Sequence, residues 1–364
     1  MTLKKFGFIG LGLIGGSIAK AIHEQVEDAW ICAYDIRKEA TEAALQDGVI
    51  QAAAPEIGHY FADCDMIFLC APVQKNDENL LALRGCIRED AVLTDVGSVK
   101  EPIHRAVTEA GLQGNFIGGH PMAGSERIGY AASKSKLLQN AYYIMTPEPE
   151  CPKERVAKMR ELILQLGAIP LEMSSEKHDY IVAGVSHLPH VIAASLVNLV
   201  KTSDDAEGLM KLVAAGGFKD ITRIASSSPV MWQQICLTNG ENILGLLDSY
   251  IGSLQEIRTQ IADREDTELY DLFDHARVYR DSFVSASSGP IKVRYALTID
   301  IADEPGALAA IATILALNGI SIKNIGILHN REYLGGDLSV EFEDEEGLNK
   351  AREVLNAKAY TTHG

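Results

Sequence analysis

Short apolar runs closed by turn or acidic residues recur at 5–10, 30–35, 66–71, 91–95, 116–118, 142–146 and 169–172. Most are continuously apolar, as strands buried on both faces of a parallel sheet are. Amphipathic helical patterns, such as 17–27 and 39–47, lie between them. Strand–helix alternation of this kind predicts a doubly wound α/β domain over 1–173. From 174 to 288 the periodicity changes. Ile243, Leu244, Leu247, Ile251, Leu254 and Ile257 recur at helical spacing with no strand signal. An all-α domain is expected, apolar over enough of its surface to pack on a second subunit, so a homodimer is predicted. After the polar linker 285–290, the pattern reads strand (292–301), helix (305–318), strand (321–328), strand (335–342), helix (345–356) and a short end. This predicts a third domain, 291–364, of ferredoxin-like βαββαβ form.

The first strand runs into Gly10-Leu11-Gly12-Leu13-Ile14-Gly15. In a Rossmann-type domain the first glycine makes the tight turn and the second lets the backbone approach a pyrophosphate. The third lets helix and strand pack closely. An acidic residue is then expected about 20 positions on to hold the ribose hydroxyls. Asp35 closes the second strand at that place. It would repel a 2′-phosphate, so NAD is expected over NADP, although Arg37 beside it is a residue that pairs with that phosphate. Ala71-Pro72-Val73 and Gly97 follow later strands and should line the same crevice.

Charge narrows the partners. A formal net charge of −17 repels nucleic acid and anionic membranes. An anionic substrate would need local arginine or histidine. No run of about 18 apolar residues appears, so no membrane span is expected. The chain passes from Met1 straight into the first strand, which reads as structure and not as a signal peptide; a cytoplasmic location is expected. The six cysteines show no CxxC pair and read as reduced thiols, and no metal is expected. His187 and His190 have zinc-like spacing but no third ligand in motif spacing.

His120 stands between glycines and a proline at a strand end, well placed for acid–base work, with Ser98 at a neighbouring strand end able to orient its imidazole. At this point the residues resemble a known family. The blocks 10–15, Asp95-Val96-Gly97-Ser98-Val99-Lys100 and Gly119-His120-Pro121-Met122-Ala123-Gly124 resemble the prephenate dehydrogenases of tyrosine biosynthesis. The resemblance continues through His178-Asp179, Ser186-His187-Leu188-Pro189-His190, Gly216-Gly217-Phe218-Lys219-Asp220-Ile221-Thr222-Arg223-Ile224-Ala225 and Met231-Trp232, in order over 1–285. The last segment resembles an ACT domain, an amino-acid-sensing module, through Asp303-Glu304-Pro305-Gly306-Ala307-Leu308 and Asn318-Gly319-Ile320.

The resemblance implies NAD-dependent oxidative decarboxylation of prephenate to 4-hydroxyphenylpyruvate and carbon dioxide. Aromatisation drives the reaction, so the protein mostly positions groups. By motif His120 is the base for the hydroxyl proton, neutral when it acts, with Ser98 hydrogen-bonded to it. An ordinary histidine pKa is therefore expected in the pH–rate profile. Arg223 would clamp a substrate carboxylate, and Ser186, His190, Gly216 and Trp232 would line the pocket. Tyrosine would bind the terminal module near Asp303, Gly306, Leu308, Asn318 and Ile320 and inhibit. Three other readings stand beside this one. They are an arogenate dehydrogenase, a β-hydroxyacid dehydrogenase using Lys219, and a non-enzymatic NAD and amino-acid sensor.

Overall fold

A computed structural model describes residues 3–71, 75–124, 127–286, 295–302, 304, 306–328, 335–342 and 344–363. Pro72, Val73 and Asp303, expected at the cofactor and effector sites, lie outside the described residues. The chain forms two compact units, Met1–Ala262 and Asp263–Gly364.

The first unit begins with β1 (Lys5–Ile9), α1 (Leu13–Gln25), β2 (Trp30–Tyr34), α2 (Lys38–Gln46) and the two-residue β3 (Ala52–Ala53). Next come β4 (Met66–Leu69), α3 (Asn76–Leu83), β5 (Val92–Asp95) and α4 (Glu101–Ala110). The strands form one parallel sheet in the order β3-β2-β1-β4-β5. The order reverses between β1 and β4, which puts the ligand crevice at their C-terminal ends. Along β1 the side chains alternate between the two faces. Phe6 and Phe8 enter one core, where Phe8 stacks on Phe68 at 4.8 Å. Ile9 enters the other. A Cβ on Gly7 would strike the Phe61 ring at 2.5 Å, so this glycine leaves room for that ring.

The sheet extends through a parallel bridge from Leu93 to Phe116. Beyond it lie β6 (Ile117–Pro121), β7 (Tyr142–Pro147), α5 (Lys153–Gln165) and β8 (Ile169–Glu172). The direction of the strands changes here. β7 pairs antiparallel with β6 and parallel with β8. Among its described residues the segment between β6 and β7 holds only short 3-10 turns, Tyr130–Ala132 and Ser135–Leu138, and a parallel return needs a longer crossover, usually an α-helix.

Helices follow: α6 (Ser175–Val182), α7 (Leu188–Ser203), α8 (Leu209–Val213), α9 (Gly216–Thr222), α10 (Pro229–Thr238) and α11 (Gly240–Asp263). Ser174 caps α6 by accepting from Lys177 N–H. A π-helical turn, Ala183–His187, joins α6 to α7. The continuous run Ser175–Ser203 is, among the described residues, the one helix long and apolar enough to cross a membrane by length and composition. No such stretch was expected, because His178, Asp179, His187, His190 and Lys201 interrupt the apolar pattern. Those interruptions include the residues that build the site below. Val185 and Leu199 on this run and Leu237, Leu244 and Ile251 beyond it are exposed.

The second unit holds α12 (Asp266–Ala286), followed by β9 (Tyr295–Ala302), α13 (Ala307–Leu317), β10 (Asn324–Leu328), β11 (Gly335–Phe342), α14 (Glu345–Asn356) and β12 (Thr362–His363). The four strands form an antiparallel sheet in the order β10-β11-β9-β12. Leu297, Ile299, Leu338 and Val340 from the sheet pack on Ile311, Leu315, Ala351 and Leu355 from the helices.

Candidate active site

The cofactor cradle is made by backbone. Gly10 has φ +101°, and a Cβ there would meet the Cys70–Ala71 backbone at 2.7–2.8 Å. Gly15 leaves room for the Gly10 carbonyl and Cys70. Around Gly12 a Cβ would meet nothing within 4 Å. Gly10 and Gly15 thus fit strand to strand and helix to turn, and Gly12 faces open space beside the N-terminus of α1. That is the shape a pyrophosphate fills, with Leu13 and Ile14 opening the helix behind it. Asp35 joins the two halves of the cradle. One carboxylate oxygen accepts from Leu11 N–H (2.7 Å) and the other from Arg37 N–H (2.8 Å). The Arg37 guanidinium is half exposed, with Nε 3.8 Å from the same carboxylate. Ala71 follows β4 at the crevice.

The chemical site lies where β5, β6, α4, α6 and the π turn meet. β6 carries His120 close beside the end of β5. A Cβ on Gly119 would lie 2.5 Å from the Asp95 carbonyl, so glycine is what permits this approach. Asp95 and Lys100 form a fully buried ion pair. The Lys100 ammonium also donates to the Gly119 carbonyl (2.7 Å). Asp95 accepts from Gly97 N–H (2.8 Å) and Gly119 N–H (3.1 Å). These bonds tie the Ser98 loop to the strand that bears His120. Burial lowers the Lys100 pKa, and the Asp95 carboxylate opposes that shift.

Asp179, on α6, is buried against the N-terminus of α4. It accepts from the backbone N–H of Lys100 (2.7 Å) and Glu101 (2.8 Å). Its Oδ1 lies 2.7 Å from His178 Nδ1, and His178 Nε2 lies 2.8 Å from His120 Nδ1. Asn239, at the end of α10, donates through Nδ2 to the Asp179 carbonyl (2.8 Å) and reaches His187 Nδ1 at 3.0 Å. His190 stacks on Trp232 with ring centroids 3.6 Å apart, and its Nδ1 donates to the Ser186 carbonyl (2.8 Å).

His120 is held well below the ordinary histidine pKa of 6.5 by burial, then by His178, Lys100 and His187. The expectation of an ordinary histidine pKa is therefore corrected. Burial likewise lowers His178, and lowers His187 to about 4. Burial also lowers His190, and the Arg223 charge adds to the shift.

Most of the expected residues gather here, with two differences. Ser98 makes no hydrogen bond to His120; His178 occupies the Nδ1 position instead. Arg223 is exposed at the end of α9, near enough to His190 to act on its charge. Gly216 opens α9, and Trp232 has its Nε1 buried without a hydrogen-bond partner. In the second unit Gly306 (φ +97°) caps α13 and Leu308 and Asn318 are exposed. Ile320 packs in the core of that module. Lys100, His178, Asp179, His187 and Asn239 had no predicted role. The first four lie inside the quoted motifs, but their contacts join segments up to 79 residues apart.

Three family models match in succession. They describe a prephenate dehydrogenase nucleotide-binding domain (18–170), a prephenate dehydrogenase dimerization domain (174–275) and an ACT domain (295–359). The glycine loop lies just ahead of the first match. A prephenate dehydrogenase of Bacillus subtilis (strain 168) is 39% identical over 96% of this chain and 95% of its own length. The crystal structure of A. aeolicus prephenate dehydrogenase with hydroxyphenyl propionate and NAD+ superposes with a TM-score of 0.73. It is 32% identical and covers 78% of this chain and 99% of its own. The Synechocystis arogenate dehydrogenase structure gives a TM-score of 0.70 at 29% identity, covering 77% and 99%. With its nucleotide cradle, its buried histidine cluster and its near full-length relatives, the chain belongs to the prephenate dehydrogenase family.

Proposed function

We propose that the chain converts prephenate to 4-hydroxyphenylpyruvate and carbon dioxide with NAD as oxidant. The observation that carries this is a part-buried His120, kept uncharged by its surroundings, at the strand edge that flanks the cofactor crevice. NAD, when bound, supplies the acceptor for a hydride. Gly10, Gly12, Leu13, Ile14 and Gly15 would hold its pyrophosphate, and Asp35 its ribose hydroxyls. Ala71, Pro72, Val73 and Gly97 would border it. Asp35 favours NAD over NADP, since a 2′-phosphate would meet a carboxylate there.

The chain's own part is to take and hold a proton and to fix an anion. His120 accepts the substrate hydroxyl proton, and Ser98 borders the same hydroxyl. The phenol product carries an O–H again, so the proton is held and returned, with no net release. Arg223 holds a substrate carboxylate, with His190, Ser186, Gly216 and Trp232 lining the pocket. His190 has its Nδ1–H committed to the Ser186 carbonyl, so it donates to an anion only after taking a proton on Nε2. Arg223→Ala should therefore mainly raise KM.

The division into 1–173, 174–288 and 291–364 assigns cofactor, substrate with homodimer formation, and regulation. Exposed Leu237, Leu244 and Ile251 are apolar surface suited to a second copy. The terminal module would bind tyrosine near Asp303, Gly306, Leu308, Asn318 and Ile320. The free cysteines, including Cys32 and Cys64 with sulfurs 3.6 Å apart and unbridged, suit a reducing cytoplasm.

Initial rates of NADH formation test this reading. Prephenate should exceed arogenate in kcat/KM, and tyrosine should inhibit. A preference for arogenate would favour the alternative that the Synechocystis relative represents. No turnover of either substrate would overturn the reading.

A further inference from the structure

A proton acceptor is useful only if its lone pair faces the substrate. An imidazole has two nitrogens, and something must decide which one is bare. Resting on the reading of His120 as the base, we propose that Asp179 and His178 form a positioning relay that holds His120 in its Nδ1–H form and leaves Nε2 as the acceptor.

The direction of each hydrogen bond follows from the groups that cannot reverse. A backbone N–H only donates. Lys100 N–H and Glu101 N–H both point into the Asp179 carboxylate, at 2.7 and 2.8 Å. The carboxylate is thus an acceptor, and His178 Nδ1, 2.7 Å from Oδ1, is the donor. A neutral His178 with hydrogen on Nδ1 has a bare Nε2. The 2.8 Å gap between that Nε2 and His120 Nδ1 then needs a hydrogen from His120. With Nδ1 protonated and the ring neutral, His120 Nε2 carries the lone pair. Burial keeps both rings neutral.

The same residue sets the neighbouring imidazole the other way. A carbonyl only accepts, so Asn239 Nδ2 donates to the Asp179 carbonyl and is also the donor toward His187 Nδ1. His187 therefore carries its hydrogen on Nε2. Asp179 thus orients one histidine pair through its carboxylate and a third histidine through its carbonyl.

The charged and titratable groups facing the pair are Asp95 and Lys100 from the end of β5 and its loop, Asp179 from α6, and His187 from the π turn. Lys100 repels a positive charge on either ring, but Asp179 stabilises one on His178. The relay can use this difference. As Nε2 of His120 takes the hydroxyl proton, the Nδ1 proton passes to His178 Nε2. The substrate O–H and His120 Nδ1–H bonds break, and one N–H bond forms on each ring. The reverse transfer restores both rings as the product O–H forms.

Two measurements test the relay. The first is the two-bond proton–nitrogen NMR spectrum of the full-length protein, labelled with nitrogen-15 in histidine, above pH 6.5 without substrate or cofactor. Loss of signals in His120→Asn and His178→Gln assigns the rings. His120 and His178 should be protonated on Nδ1, and His187 on Nε2. A hydrogen on His120 Nε2 overturns the proposal, whatever the activity. The second compares His178→Gln with His178→Leu. The glutamine amide can accept from His120 and donate to Asp179; leucine can do neither. Turnover should fall in both, and about tenfold or more further in His178→Leu, with KM for prephenate little changed. Equal turnover in the two variants contradicts a positioning role. If instead His120→Asn retains normal turnover while the spectrum shows the expected tautomers, the base assignment fails and the relay geometry stands.

Discussion

The nucleotide cradle and the histidine cluster flank one sheet edge but are built from different materials. The cradle is backbone: glycines where a Cβ would collide or would fill the cofactor's space, and one carboxylate bonded to two amides. The cluster is side chains taken out of water, with Asp95, Lys100, His178, Asp179 and His187 all buried. Backbone amides need no titration and present fixed donors to an anion. Buried side chains allow pKa values to be moved, at the risk that losing any one leaves another unpaired. Binding and chemistry are thus assigned to the two kinds of construction that suit them.

Substitutions can break this contrast. His120→Asn should lower kcat by roughly 10²–10⁴-fold, with far less effect on KM, as expected for a lost general base. Steady-state kinetics with prephenate check it, and near-normal kcat would remove His120 from the role. Lys100→Met should cost about 3–5 kcal/mol of stability, because it leaves the Asp95 carboxylate buried without its cation. Chemical denaturation reads that loss; an unchanged midpoint would show that the buried pair is dispensable. In the cradle, Gly12→Ala should leave thermal stability unchanged and raise KM for NAD. Gly10→Ala should lower stability even without cofactor, because it meets both a positive φ and the Cys70–Ala71 backbone. Equal behaviour of the two variants would deny that Gly12 faces the cofactor. The smallest effect is on substrate affinity. KM for prephenate should rise with pH only below pH 6.5, by less than tenfold per unit, and level off above it, because burial and the Arg223 charge lower the pKa at which His190 loses the proton it needs to donate to an anion.

The two regions also differ in how far they can be read from sequence. The cradle is local: Leu11 and the acidic residue it bonds are 24 positions apart, within one strand–helix–strand unit. Glycine spacing and strand periodicity are enough to place it. The histidine cluster joins His120 to His178 across 58 positions and Lys100 to Asp179 across 79. His120 stood out because of its place at a strand end. His178 did not, since a histidine on an amphipathic helix has no local mark of its partner. The Ser98 expectation failed at His120 Nδ1 for the same reason: two strand ends are neighbours in sequence logic, but a helix from the next domain supplies the closer acceptor. The antiparallel β7 escaped because periodicity reports burial and not strand direction. Ile320 was assigned to an effector site by motif, while its burial depended on the packing of the whole module.

The most direct test of the account is the pH dependence of single-turnover NADH formation with saturating prephenate. His120 is depressed below 6.5, so its neutral form already predominates at that pH and the base is lost only in stronger acid. The rate of the unmodified enzyme should be flat from about pH 6.5 upward and fall only well below it, as His120 takes a proton. A rate that climbs through pH 6.5 to a plateau above it would contradict a base kept neutral by burial, Lys100 and its neighbouring histidines.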